Sequence, residues 1–166
     1  QKEPFNDVNV RKALSLAIDR DYVANTIMQG TYTPAYNIVG PGIVDENGMF
    51  YDNANGGKTY ISEDYEANLE AAKQALADAG YPNGEGFPVI EYSTNDAGYH
   101  TPVAEYLQQA WGELGITVNI NKVEWASFTP MRRAGDYDAS RNGWVMDYND
   151  PSNMLELFTT GNGNND

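Results

Sequence analysis

Three short stretches carry strand-like patterning, Val89 to Tyr92, Ile116 to Ile120 and Tyr137 to Val145, and helix-length segments separate them. Strands that recur with helix-length crossovers between them favour an α/β layered domain, because each crossover has room to cross the sheet and cover a face. Ligands of such sheets gather at the strand carboxyl ends.

The helical segments have their own punctuation. Asn6 or Asp7 can cap a helix with Val10, Ala13, Leu14, Ala17 and Ile18 on one face. Asp19 or Asp21 restarts it through Val23, Ile27 and Met28, and Gly30 closes it. Ser62 is the expected cap of the next helix, with Glu63, Asp64 and Glu66 in its first turn, where the helix dipole favours anions. That helix ends at Gly80. After a loop from Ser93 to His100, Thr101-Pro102 opens another with Val103, Leu107, Trp111 and Leu114 on its apolar stripe. A helix near Trp125 or Thr129-Pro130 carries Arg132, and Asp150-Pro151 begins the last, through Leu155 and Phe158. Between Thr31 and Tyr60 the chain is rich in Gly, Pro, Asn and Tyr. So long an irregular run is usually a binding loop or a mobile one, and Tyr32, Tyr36, Phe50 and Tyr51 can line a pocket or pin the loop to the core.

Chemistry concentrates between Gly135 and Leu157, GDYDASRNGWVMDYNDPSNMLEL. On an extended segment Arg141, Gly143, Val145 and Asp147 share a face, while Asn142, Trp144 and Met146 share the other. Six extended steps separate Arg141 from Asp147, roughly 20 Å, too far for an ion pair. Opposite charges so spaced suit a short peptide, with its amine at one end and carboxylate at the other. From spacing alone the plainer reading is favoured, ordinary solvated charges of a strand end with unrelated partners.

Composition excludes several classes. A length of 166 residues suits one domain, and 41% hydrophobic and 12% aromatic residues argue against wholesale disorder. A net charge of −14 argues against nucleic acid as a partner and against docking on an anionic membrane face. There is no apolar run of about 18 residues, and Gln1-Lys2-Glu3-Pro4 does not read as a signal peptide. With no cysteine, disulfides and thiolate metal sites are excluded. Nucleophilic catalysis finds no support: His100, the one histidine, falls in a polar loop, and there is no Gly-x-Ser-x-Gly elbow. Asp147 to Asp150 opens like a calcium loop, but Pro151 and Phe158 fall where ligands are needed. A carboxylate glycosidase would need Asp147 with Asp150 or Glu156 in one cleft within about 10 Å. Aromatic platforms for a sugar are available in Trp111, Trp125 and Trp144, although Trp111 reads as core.

Five segments, in order, resemble the extracytoplasmic peptide-binding proteins of ABC importers, the oligopeptide/dipeptide/nickel family. They are PFNDVNVRKALSLAIDRDYVANTIMQGTYTPA, AKQALADAGYPNG, FPVIEYS, LQQAWGELGITVNINKVEW and GDYDASRNGWVMDYNDPSNMLELF. The resemblance implies a periplasmic-binding-protein-like lobe of type II, a layered mixed sheet with flanking helices. Residues 1–158 then form most of the C-terminal ligand-binding lobe, and 159–166 a flexible truncated end. In the family's Gly-Trp-x-x-Asp-Tyr pattern the acidic residue anchors the peptide's α-amino group, which makes Asp147 the amine anchor here. Arg141 and Arg132 match arginines that meet ligand carboxylates, and Trp144, Tyr148 and Asn149 flank the anchor. The implied function is capture of short peptides between two lobes, without catalysis or cofactor. A sugar or nickel chelate is the alternative ligand. The implied partners are the ABC importer permease subunits and an N-terminal lobe absent from this chain. The implied location is extracytoplasmic, periplasmic or as a cell-surface lipoprotein whose anchor lies outside this chain.

Overall fold

The computed structural model describes residues 2–50 and 59–165. Tyr51, with the Asn55-Gly56-Gly57 turn signal, lies outside the described residues, as do Gln1 and Asp166.

Helix α1, Val8–Leu16, starts where the Asp7 carboxylate accepts the Asn9 N–H at 2.7 Å, which satisfies one of the free donors of the first turn. Asp19, rather than Asp21, caps α2, Arg20–Tyr22, which widens into a π-turn over Val23–Ile27. Gly30 ends it in a left-handed conformation, its N–H donating to the Ala24 carbonyl at 2.9 Å. The irregular stretch that follows holds one small antiparallel hairpin, β1 Val44–Asp45 and β2 Gly48–Met49. Helix α3, Tyr65–Asp78, is capped by Asp64, which accepts from the Ala67 N–H at 3.1 Å, and not by Ser62. Ser62 stands two residues too early. Its N–H and carbonyl are exchanged with the buried side chain of Asn68, which fixes the approach to the helix.

The main sheet has the order β4-β3-β5 and is parallel throughout: β3 Ile90–Asn95, β4 Val118–Val123 and β5 Ala139–Ser140. Helix α4, His100–Gly112, connects β3 to β4, and α5, Trp125–Arg133, connects β4 to β5. Each pair is therefore the strand, helix, strand unit that a parallel sheet requires. The antiparallel component expected of a mixed sheet resides in the separate hairpin. One core cluster joins Val10, Ala13 and Leu14 of α1, Leu69, Ala72 and Leu76 of α3, Ile90 and Tyr92 of β3, and Leu107 and Trp111 of α4. Trp111 is locked at its centre, where its indole N–H donates to the Leu14 carbonyl at 2.9 Å and its ring meets Tyr92 edge-on. Gly115 has a backbone reason to be glycine: at φ 80° a Cβ there would lie 2.0 Å from the Asn83 carbonyl oxygen.

Two boundaries differ from the sequence reading. Strand β3 runs on through Ser93, Thr94 and Asn95, which the sequence assigns to a loop; all three are buried. As the middle strand, β3 is paired on both sides at Ser93, where the ladder satisfies the backbone and overrides polar composition. In consequence α4 begins at His100, without a side-chain cap, and the Thr101 hydroxyl donates to Asp96 at 3.3 Å.

Candidate functional site

The carboxyl ends of the three strands lie together, at Asn95, Val123 and Ser140. After Ser140 the Arg141 N–H makes one more ladder contact, to the Ser93 carbonyl at 3.0 Å, and then the chain leaves the sheet. The extended alternation expected through Val145 therefore stops at Arg141. Two local effects turn the chain away. Asn142 accepts the Gly143 N–H on its own side-chain oxygen at 2.7 Å, in place of a ladder partner. Gly143, having no side chain, lets the Arg141 guanidinium fold over it, where a Cβ would stand 3.2 Å from Nη2.

Arg141 is half-buried, and burial pulls its pKa down; the Arg132 charge adds to that, while Tyr92 and Tyr32 oppose it. Burial pushes the Tyr92 hydroxyl up to about 12 against the pull of Arg141. Burial, then Arg141, lowers His100. Arg141 is thus the charge that Tyr92 and His100 both feel. The sequence reading left His100 in a loop; it is the first residue of α4.

The segment from Trp144 to Asp150 is held from below by one residue. Asn153 is 1% exposed and lies in α6, Ser152–Leu155, which continues as a 3-10 turn over Glu156–Phe158. Its Oδ1 accepts both the Trp144 indole N–H, at 2.9 Å, and the Asp147 backbone N–H, at 3.2 Å. The Asp147 backbone is thereby fixed while its side chain stays in solvent, and no cationic side chain among the described residues is within 4.0 Å of it. Asp150 accepts the Ser152 N–H at 2.8 Å, and Ser152 holds that carboxyl below its ordinary value. The Tyr148 hydroxyl lies 3.4 Å from that of Ser152. Asn149 turns the other way and ties the corner to the hairpin, accepting from the Val44 N–H at 3.2 Å and donating to the Gly42 carbonyl at 3.4 Å.

Beside this segment is a cleft of about 370 Å³. Ile38, Trp144, Met154, Leu157 and Phe158 form its apolar walls, and Arg132, Asn142, Gly143, Asn164 and Asn165 complete it. The Arg132 Nη1 donates to Asn142 Oδ1. Of the six residues singled out in the sequence, Arg132 and Trp144 wall the cleft. Asp147, Arg141, Tyr148 and Asn149 do not. The tail, which has nothing apolar to bury, reaches the cleft through polar contacts, Asn162 Nδ2 to the Glu156 carbonyl at 3.0 Å and Asn165 Nδ2 to the Thr159 carbonyl at 3.2 Å. Sequence reading missed Asn153. It follows Pro151 and Ser152 at the start of a helix, where an Asn is ordinary, and the groups it serves lie six and nine positions back, so the sequence carries no signal for it.

Among the described residues no group of three His, Cys, Asp or Glu side chains is placed to hold a metal ion. Nor is any helix among them long and apolar enough to cross a membrane.

Comparison with known proteins bears on the whole chain. A family model described as bacterial extracellular solute-binding proteins, family 5, middle region, matches residues 1–166. The oligopeptide-binding protein OppA of Bacillus subtilis is 32% identical over 166 residues, which is 99% of this chain and 29% of that protein. The heme-binding protein A of Haemophilus influenzae is 34% identical over 160 residues, 93% of this chain and 26% of that protein. The crystal structure of Haemophilus influenzae OppA in complex with RPPGFSPFR superposes with a TM-score of 0.81 at 28% identity, covering 99% of this chain and 31% of that one. The chain thus spans less than a third of the length of these relatives.

Proposed function

Since the chain belongs to the bacterial extracellular solute-binding proteins of family 5, we propose that it forms most of one ligand-binding lobe of an extracytoplasmic protein that captures short peptides for an ABC importer. The observation that carries this reading is the Asp147 carboxylate, solvent-facing, without a cationic partner among the described residues, on a backbone pinned by Asn153. A carboxylate on a fixed backbone, with no cation beside it among the described residues, suits a ligand ammonium, and it would set the direction in which a peptide lies. The irregular segment from Asn142 to Met146, outside the sheet, offers backbone groups to an extended ligand. Arg141, at the other end, suits the carboxylate, and the cleft beside Trp144 suits one side chain. Tyr148 and Asn149 support the corner. Two of the three relatives described above are peptide binders, one by its name and one by the nonapeptide in its structure, while the third is named for heme.

A sugar site would need exposed aromatic platforms. Trp111 is buried, and the two tryptophans that keep exposed rings, Trp125 and Trp144, lie on separate segments and form no ring pair with each other among the described residues. The family consists of solute-binding proteins, and the reading requires no catalysis.

An exposed ion pair contributes about 0–1 kcal/mol, and a desolvated charge-assisted hydrogen bond about 1.5–3 kcal/mol. The second lobe is what would close over Asp147 and exclude water. We therefore expect the 166-residue chain alone to bind peptides weakly or not at all. The test is calorimetric titration of the complete protein containing this chain with mixed short peptides, free and N-acetylated, for the native sequence and for Asp147→Ala. Both acetylation and the substitution should abolish binding, without adding. Full binding of acetylated peptides, or sub-micromolar binding by the isolated chain, would refute the reading.

A further inference from the structure

We propose that the cleft beside Trp144 makes this protein selective: it takes peptides with a bulky uncharged side chain, aromatic above all, where the ligand passes Trp144, and discriminates against lysine and arginine there. The inference rests on the peptide reading above and adds the class of peptide. At about 370 Å³ the cleft lies within the range of small-ligand pockets and is far larger than an alanine methyl group needs. Five of its ten walls are Ile38, Trp144, Met154, Leu157 and Phe158. The Trp144 ring is held in place, since its indole N–H is bonded to buried Asn153 at 2.9 Å, so an incoming ring meets a fixed surface.

The remaining walls decide charge. They are Gly143, three carboxamides and the guanidinium of Arg132; among the described residues no carboxylate lines the cleft, in a chain that carries 24 acidic residues. A lysine ammonium drawn in would lose water and meet no counter-ion among the described residues of these walls, which is costly for a buried charge. An aromatic ring loses nothing and buries its whole face. Asn142, Gly143 and Trp144 precede Asp147 by three to five residues, which brings the cleft within the reach of a short peptide held there by its amine.

The test uses the complete protein containing this chain and the tripeptides Ala-Phe-Ala, Ala-Ala-Ala and Ala-Lys-Ala, with affinities from calorimetry. Ala-Phe-Ala should bind at least about tenfold more tightly than either of the others, the scale set by filling an apolar pocket. Leu157→Glu, which puts a carboxylate into the wall, should raise the affinity for Ala-Lys-Ala and lower that for Ala-Phe-Ala. Three equal affinities, or a Leu157→Glu protein with unchanged ranking, overturns the selectivity; if acetylation still blocks binding, the peptide reading survives. If no tripeptide binds, both fall.

Discussion

Asn153 is the residue on which the geometry of the site turns. It contributes one oxygen to two donors, and truncation to Ala leaves the Trp144 indole and the Asp147 N–H without their partner at a site only 1% exposed. Each such loss costs about 1–3 kcal/mol when the group stays buried, and less where water re-enters. Asn153→Ala should therefore lower unfolding stability by about 1–3 kcal/mol in urea titration and shift tryptophan emission to the red as Trp144 is released. An unchanged midpoint together with an unchanged spectrum would count against this role. The residue was hard to read from sequence for a definite reason. Caps such as Asp7 and Asp19 satisfy backbone groups two or three positions away, so local pattern exposes them. Asn153 serves groups six and nine positions back across a bend, which no local pattern encodes. Arg132 and Trp144 were legible as a pair near the site, but their shared cleft was not, because Ile38 comes from a loop more than ninety positions earlier.

At the level of elements, the order of helices and strands was legible and their ends were not. Helical spacing and apolar runs place α1, α3, α4, β3 and β4, since each buries a face against the single core. The ends depend on tertiary pairing. β3 gains three polar residues by pairing with β4 along all three and with β5 at Ser93, and the expected strand after Ala139 loses most of its length where Asn142 and Gly143 offer the chain another course. The hairpin shows the same dependence. Asn47-Gly48 marks its turn in the sequence, yet two-residue strands are too short to be stable alone. Asn149 supplies an anchor from 105 residues away. Replacing it with Ala should release the hairpin without unfolding the core. In hydrogen exchange the Val44 amide should lose at least about tenfold of its protection while β3 and α1 amides keep theirs. Protection retained at Val44 would mean that the hairpin stands without this tie.

For the molecule as a whole, composition speaks before any fold does. A charge of −14 on 166 residues must be borne largely unpaired, and among the described residues three ion pairs are formed, Lys2 with Asp138, Lys73 with Glu70 and Lys122 with Glu105. Most carboxylates therefore face one another through solvent, and self-repulsion opposes the compact state. Salt relieves it: the screening length falls from about 30 Å at 0.01 M to about 3 Å at 1 M. The thermal midpoint at pH 7 should consequently rise with sodium chloride, by several degrees over that range. On the proposed reading, ligand capture should respond with the opposite sign, because the same screening would weaken the attraction of Asp147, and of the surrounding acidic surface, for a peptide ammonium. A rising midpoint of this chain and a falling peptide affinity of the complete protein would separate two roles of charge, global repulsion tolerated by this fold and the one local carboxylate proposed for binding. If the midpoint falls with salt, the paired charges dominate the unpaired ones. If affinity is indifferent to salt while acetylation still blocks binding, the amine is held by neutral acceptors in place of Asp147.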